Sequence, residues 1–395
     1  MNTIYRIQTL NQISSVGLKR FAAGSYVVGG NVDAPDAILV RSHDMRAMEI
    51  PRSVKAIGRA GVGVNNIPVQ SMSSRGVPVF NAPGANANAV KELVIAGMLI
   101  AARNLLPALK FVHGLKGENA DLNGAVEGGK KQFAGVELPR QTLGVIGLGK
   151  IGSLVADAAI KLGMDVLGYD PEITVEAAWS LPSRVKKAQS IEDLLKAADF
   201  VTLHVPLLEV TRKLINSHRV KIMKNGAILL NFAREEVVDN RAVLEGLESR
   251  RIRYYVCDFP ARELMGHPEV VALPHLGAST REAEENCAVM VADQVRDFLE
   301  NGNILNAVNF PDVTMMRESP FRVGIANANV PNMLGQISTA MANAGLNIHN
   351  MINKSKGEMA YTLVDVDSPV PAGVIDNIIG IKGVLAVRYL PVEQQ

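Results

Sequence analysis

The stretch Gly147-Leu148-Gly149-Lys150-Ile151-Gly152, set directly after the apolar run 143–146, restricts this chain more than any other feature. A first glycine permits a tight turn out of a strand, a second lets backbone amides approach a bound group, and a third lets the next helix pack on the strand. The pattern predicts strand, turn and helix in a parallel α/β sheet, with a diphosphate resting at the positive end of the helix dipole. Asp170 closes the next apolar run, about 20 residues on, where an acid receives the ribose hydroxyls of a dinucleotide. A carboxylate there repels a 2′-phosphate, Glu172 adds to the repulsion, and residues 169–176 contain no Arg or Lys. NAD is therefore expected rather than NADP.

The rhythm around this motif sets the fold class. Runs at 143–146, 165–169, 200–205, 227–232, 254–257 and 270–273 read as buried strands, with helical patterns at 151–162 and 191–197 between them. Six strands in that order match a Rossmann-type doubly wound sheet. Shorter runs at 36–40, 54–57 and 77–80 precede a long helical pattern over 86–106, and 114–135 reads as exposed connecting structure rich in Gly, Lys and Asn. Residues 279–301 form the last helix of the unit, with Ser279 as N-cap and Gly302 as stop, before a linker containing Pro311 and Pro320. The runs 322–325, 334–344, 348–353, 361–366, 374–380 and 384–390 then read strand, helix, strand, strand, helix, strand, the order of a ferredoxin-like domain.

Bulk properties exclude several classes. With 395 residues the chain exceeds one ordinary core, and 48% hydrophobic with 20% charged residues is globular composition. A formal charge of +2 points to neither nucleic acid nor an anionic membrane. Cys257 and Cys287 lack metal-ligand spacing and read as reduced core thiols, so no metal is expected. No window has the length of a bilayer span and residues 1–10 do not read as a signal peptide, so a cytoplasmic protein is expected.

Chemistry beside a nicotinamide needs a cation for a carboxylate, a group that exchanges a proton, and a group that orients it. Arg234 ends the run Leu229-Leu230-Asn231-Phe232-Ala233, and its guanidinium fork matches a carboxylate. His275, in Leu273-Pro274-His275-Leu276-Gly277, follows a strand, and a histidine there can serve as base in one direction and acid in the other. Glu263 lies in the irregular segment after Asp258 and would fix a histidine tautomer if paired with it. Each alone also fits an ordinary surface residue, and spacing does not bring the three together.

These residues belong to a wider set: Val40-Arg41-Ser42, Arg59-Ala60-Gly61-Val62-Gly63-Val64-Asn65-Asn66, Asn81-Ala82-Pro83, the glycine motif, Asn231-Phe232-Ala233-Arg234 and Pro274-His275-Leu276-Gly277-Ala278-Ser279-Thr280. With this set the chain resembles the D-isomer-specific 2-hydroxyacid dehydrogenases, in the form that carries a C-terminal ACT domain, over nearly its whole length. The resemblance implies Arg234 as the substrate-orienting cation, His275 as acid/base and Glu263 as its carboxylate partner. It implies that Val62, the three motif glycines, Lys150, Ile151, Asp170, His204, Pro206, Phe232, Ala233, Asp258, Gly277 and Ala278 surround NAD. Arg41, Ser42, Arg59 and Gly61 would hold the substrate, and two arginines favour a phosphorylated acid, 3-phosphoglycerate. It implies a flavodoxin-like substrate domain split between residues 1–92 and 286–312, an NAD-binding domain at 93–285 and an ACT domain at 320–395. Asn329 and Asn347 would hold an effector, L-serine, and a homodimer or homotetramer is expected.

The chain departs from the family at Glu235, where the family has Gly, at Leu264, where it has Pro, and at Asn332 and Asn327 in the ACT segment. Two alternative functions remain open on sequence alone: a glyoxylate or hydroxypyruvate reductase, and a non-catalytic NAD-sensing interaction protein.

Overall fold

A computed structural model describes residues 4–115 and 122–392. Part of the irregular stretch expected at 114–135 therefore lies outside the described residues. The chain divides into two compact units, one running to Asn86 and resuming at Arg281, the other spanning Ala87–Thr280.

The first unit opens with β1 (Tyr5–Leu10), α1 (Ser15–Leu18), β2 (Tyr26–Gly29), β3 (Ala37–Val40), β4 (Ala56–Arg59), α2 (Val69–Ser74) and β5 (Val79–Phe80). The strands form a parallel sheet in the order β2-β1-β3-β4-β5, the flavodoxin-like arrangement. In β3 all four residues are buried, as a central parallel strand covered on both faces requires.

The second unit carries α3 (Ala87–Ala102), α4 (Leu105–Gly114), α5 (Leu122–Gly129), β6 (Thr142–Ile146), α6 (Lys150–Lys161), β7 (Asp165–Tyr169), α7 (Val175–Trp179) and β8 (Val185–Lys187). It continues through α8 (Ile191–Ala197), β9 (Phe200–Leu203), α9 (Ser217–Ile222), β10 (Ala227–Asn231), α10 (Asn240–Glu248), β11 (Ile252–Cys257) and β12 (Val270–Ala272). Its sheet has seven parallel strands, β12-β11-β10-β9-β6-β7-β8, one more than the apolar runs suggest. The extra strand, β8, is three residues long with two exposed lysines, so it sends no hydrophobic signal. Strand order reverses between β6 and β9, and ligands of doubly wound sheets bind where the carboxyl ends of such strands diverge. The long helix expected over 86–106 stops at Ala102, because Asn104 is left-handed (φ 52°) and its amide donates to the carbonyl of Ala134 at 3.0 Å. Among the described residues no single helix is long and apolar enough to cross a membrane.

The chain re-enters the first unit with α11 (Arg281–Asn301), which starts two residues after Ser279 and ends where Gly302 turns left-handed (φ 74°). Val291, Val295, Phe298 and Leu299 on α11 share a core with Ile7, Leu39 and Ala56 of the parallel sheet. The linker is part of this core, for Ile304, Phe310 and Val313 are fully buried. Then come β13 (Phe321–Ala328), α12 (Met333–Asn343), β14 (Ile348–Lys356), β15 (Met359–Val366), α13 (Ala372–Ile379) and β16 (Val384–Pro391). They build an antiparallel sheet, β14-β15-β13-β16, with ferredoxin-like topology. Alternation along β13 and β15 sends Val323, Ile325, Val364 and Val366 toward α12 and α13, while Ala326, Tyr361 and Leu363 join the core around α11.

Three arginines tie this sheet to α11. The carbonyls of Phe298 and Leu299 each accept from Arg388 at 2.8 Å, that of Glu300 from Arg317 at 3.0 Å and that of Asn301 from Arg322 at 3.2 Å. These are the last four carbonyls of the helix, and among the described residues only that of Phe298 also accepts a following backbone N–H, from Gly302 at 2.9 Å. Arg322 is itself fully buried and forks onto Asp365 at 2.6 and 2.8 Å. Removing one member of such a pair leaves an uncompensated charge in the core, at a cost of ~3–5 kcal/mol. Arg322→Met is expected to lower unfolding stability in urea by that amount, and Arg322→Met with Asp365→Leu to recover part of it. A loss below about 1 kcal/mol in the single variant would contradict this role.

Candidate active site

The glycine turn sits at the carboxyl end of β6. Gly147 has φ 91°, and a Cβ there would come within 2.6 Å of the carbonyl oxygen of His204, so both conformation and space demand glycine. At Gly152 a Cβ would lie 1.9 Å from the carbonyl oxygen of Gly147, which is how α6 comes so close to the loop. Around Gly149, the N-cap of α6, nothing lies within 4 Å of the Cβ position. That open space at a helix N-terminus fits a diphosphate. Lys150 and Ile151 begin the helix beside it.

Asp170, just past β7, is locked against the same loop. Its Oδ2 accepts the Leu148 N–H at 2.8 Å and its Oδ1 the Glu172 N–H at 3.0 Å. A carboxylate has acceptor capacity beyond these two bonds, so it remains suited to ribose hydroxyls. Across the switch point, His204 follows β9, with Nε2 2.9 Å from Thr202 Oγ1 and Nδ1 buried without a partner. Burial pulls its pKa down to about 3, so the ring stays neutral. Pro206 comes next, its carbonyl accepting from Thr211 Oγ1 at 2.6 Å.

The ends of β10, β11 and β12, side by side in the sheet, present the candidate side chains. After β10, Phe232 and Ala233 are buried, and the fully buried Asn231 staples the turn: its Oδ1 accepts the Ala233 N–H at 3.1 Å and its amide donates to the Arg234 carbonyl at 2.8 Å. Arg234 is thereby pushed outward with an extended backbone. Its Nη1 donates to the Ala233 carbonyl at 2.6 Å, and among the described residues its guanidinium pairs with no carboxylate. Glu235 points elsewhere, its Oε1 accepting from Asn240 at 3.1 Å, so it does not neutralise its neighbour.

After β11, Asp258 is almost completely buried, 2% exposed. Its carboxylate accepts the N–H groups of Leu276 and Gly277, both at 2.7 Å, and its carbonyl accepts the N–H of His275 at 3.1 Å. Burial raises its pKa, while those two bonds and the nearby His275 work in the opposite direction. His275 has φ 55°, a left-handed backbone that costs a non-glycine residue ~1–3 kcal/mol, and its side chain is exposed. Gly277 is buried and Ala278 half-buried at the end of the same loop.

Arg234 and His275 are joined by a residue the sequence did not single out. The guanidinium carbon of Arg234 stands 5.6 Å from the ring centroid of Phe259, and the His275 ring stacks on the same Phe259 at 4.6 Å with planes 49° apart. No motif signals Phe259, because the contact depends on two separate strand ends meeting. Glu263 is not brought to this cluster: it lies exposed in the 3₁₀ turn Arg262–Leu264 and makes no hydrogen bond or ion pair with His275. The carboxylate joined to the His275 loop is that of Asp258, through the N–H groups of Leu276 and Gly277.

The expected substrate residues lie on the first unit. Arg41 opens the loop after β3, where its Nη2 meets Glu284 Oε1 at 2.6 Å, and the exposed Ser42 follows. Arg59 ends β4 with its Nε buried and unpartnered. Its guanidinium folds over Gly61, where a Cβ would lie 2.1 Å from Nη1, while Val62 beside it is exposed. In the ferredoxin-like layer Asn329 donates to the Gly357 carbonyl at 3.1 Å, and the N–H of Asn347 to Asp367 Oδ1 at 3.3 Å.

Comparison with known proteins agrees with this geometry. Residues 95–277 match the family model described as D-isomer specific 2-hydroxyacid dehydrogenase, NAD binding domain. The chain is 36% identical over 343 residues to the D-3-phosphoglycerate dehydrogenase of Methanocaldococcus jannaschii, covering 84% of this chain and 62% of that protein. It is 33% identical over 348 residues to the enzyme of the same name from Haemophilus influenzae, covering 85% and 81%. Among solved structures, cofactor(NAD+)-bound 3-phosphoglycerate dehydrogenase of Entamoeba histolytica superposes with a TM-score of 0.57 at 25% identity, over 78% of this chain and 99% of that one. The chain thus spans less than two thirds of the archaeal relative's length.

Asp170→Ala is expected to weaken NAD binding and lower the NAD/NADP affinity ratio by about tenfold, the loss of one charged ribose contact, as read by fluorescence titration. An unchanged ratio would show that this carboxylate does not read the ribose.

Proposed function

The chain belongs to the D-isomer specific 2-hydroxyacid dehydrogenase family, and from that premise we propose that it oxidises D-3-phosphoglycerate to 3-phosphohydroxypyruvate with NAD, the reaction that opens L-serine biosynthesis. The observation that carries the reading is the pairing of an uncompensated guanidinium after β10 with an exposed imidazole after β12, through Phe259 at the end of β11 between them. When bound, NAD supplies the acceptor for the substrate's hydride. Arg234 holds the substrate carboxylate by two hydrogen bonds and, in the reverse direction, polarises the 2-oxo group. An imidazole nitrogen of His275 takes the proton from the 2-hydroxyl and returns it on reduction. Asp258 holds the His275 backbone in place, and Phe259 sets the spacing of the guanidinium and the imidazole. Glu263 is proposed as the carboxylate that turns toward His275 when substrate is bound, supported by its place on the segment leaving β11. Arg41 and Arg59 take the phosphoryl group.

The division of labour proposed is an NAD-binding domain at 93–285, a split substrate domain at 1–92 and 286–312, and an ACT-type regulatory domain at 320–395 that takes serine near Asn329 and Asn347. Assembly into a homodimer or homotetramer is supported by α4, which leaves Leu105, Leu106, Leu109 and Val112 exposed on a helix with no buried residue. The two buried free cysteines support a reducing, cytoplasmic setting.

The test is a substrate panel. NADH formation from 3-phosphoglycerate is expected to exceed NADH consumption with glyoxylate or hydroxypyruvate, and silence with every 2-hydroxy and 2-oxo acid would favour a non-catalytic NAD-binding protein. His275→Ala is expected to lower kcat by about 10²–10⁴-fold, the usual contribution of a positioned acid/base, while NAD affinity stays close to that of the parent. Lost NAD binding in a folded variant would contradict the assigned role.

A further inference from the structure

We propose that Glu284 sets the charge of the phosphoryl site, and thereby how strongly the enzyme favours phosphorylated over unphosphorylated 2-hydroxy acids; this rests on the assignment of Arg41 and Arg59 to the substrate. The loops after β3 and β4 and the first turns of α11 bring four side chains together. Arg41 Nη2 lies 2.6 Å from Glu284 Oε1, with the two side chains 38% and 40% exposed. Among the described residues Arg59 has no such partner, and its Nε is buried and unbonded. Cys287 stands three residues beyond Glu284 on α11, hence on the same helix face, and feels the charge of Arg59, Arg41 and Glu284 together. Arg41 also lowers the pKa of Arg59, after burial, so the two cations share one field.

The cluster holds two guanidiniums and one carboxylate, a net charge of +1. That suits a carboxylate better than a phosphoryl group, which carries close to two negative charges at neutral pH. The phosphoryl group must compete with Glu284 for Arg41 or accept its repulsion. Glu284 thus tempers the preference that two bare arginines would give, and it stands in for the anion when none is bound. It is well held for this purpose, for an acid in the first turns of a helix is favoured by the dipole. An ion pair this exposed adds little to folding, so its charge can be removed without loss of the structure.

The experiment compares the parent chain with Glu284→Gln, using 3-phosphoglycerate and D-glycerate as ligands in the presence of NAD, read as KM and as calorimetric Kd. Removing one charge several ångströms from a dianion is expected to tighten 3-phosphoglycerate by about five- to tenfold and to move D-glycerate by less than about twofold. The gain shrinks as salt is raised. Unchanged or weaker 3-phosphoglycerate binding in Glu284→Gln overturns the proposal, as does an equal gain for both ligands. Arg59→Ala separates the two levels: if it weakens 3-phosphoglycerate while Glu284→Gln has no effect, only the role of Glu284 is lost. If Arg59→Ala and Arg41→Ala both leave 3-phosphoglycerate affinity untouched, the substrate assignment is lost with it.

Discussion

Asp258 holds its carboxylate out of water and gives it to two backbone N–H groups, those of Leu276 and Gly277 at 2.7 Å. Each is a charge-assisted bond in a sheltered place, of the order of ~1.5–3 kcal/mol. The left-handed backbone of His275 costs ~1–3 kcal/mol. Two bonds of the first size outweigh one strain of the second, so the loop keeps a conformation that a free peptide would leave. The consequence is chemical. With its backbone fixed, His275 lays its ring on Phe259, and Phe259 in turn faces Arg234, itself pushed outward by the Asn231 staple. Three residues, Asp258, Phe259 and Asn231, thus place the two side chains proposed to carry the chemistry.

The first unit follows a similar logic through α11. One end of this helix carries Glu284 and Cys287 beside the two arginines, and the other end gives its last four carbonyls to Arg388, Arg317 and Arg322. A helix of 21 residues is about 30 Å long at 1.5 Å per residue. The ferredoxin-like layer is therefore built onto the same rod that lines the arginine cluster, with a shared core in which Phe298, Phe310 and Tyr361 are nearly or fully buried. A ligand that shifts this layer would act on α11 directly.

The seven-stranded sheet was legible where burial is two-sided: the strands β6, β7, β9, β10 and β11 are apolar runs closed by Gly, Asp, His or Asn. β1 was missed because its pattern, YRIQTL, mixes Arg and Gln with apolar residues and only one of its six residues is buried. β8 was missed for the same reason. The positions of the glycine turn, Asp170, Arg234 and His275 at strand ends were readable because each directly follows an apolar run. Phe259 and Glu284 were not, since their partners are 25 residues away for Phe259–Arg234 and 243 for Glu284–Arg41, and one-dimensional spacing carries no trace of such contacts. Glu263 shows the converse: a plausible partner by chain position that the local 3₁₀ turn leaves facing solvent.

Isotope tracing reaches the central chemistry most directly. The full-length chain is given NAD and 3-phosphoglycerate carrying deuterium on carbon 2, and the reduced dinucleotide is analysed by mass spectrometry. Direct transfer at the Arg234–His275 pair requires the deuterium to appear in NADH, with a slowed turnover on the labelled substrate if the transfer step limits the rate. Deuterium released to water, or no reduced dinucleotide at all, would contradict hydride transfer from that carbon.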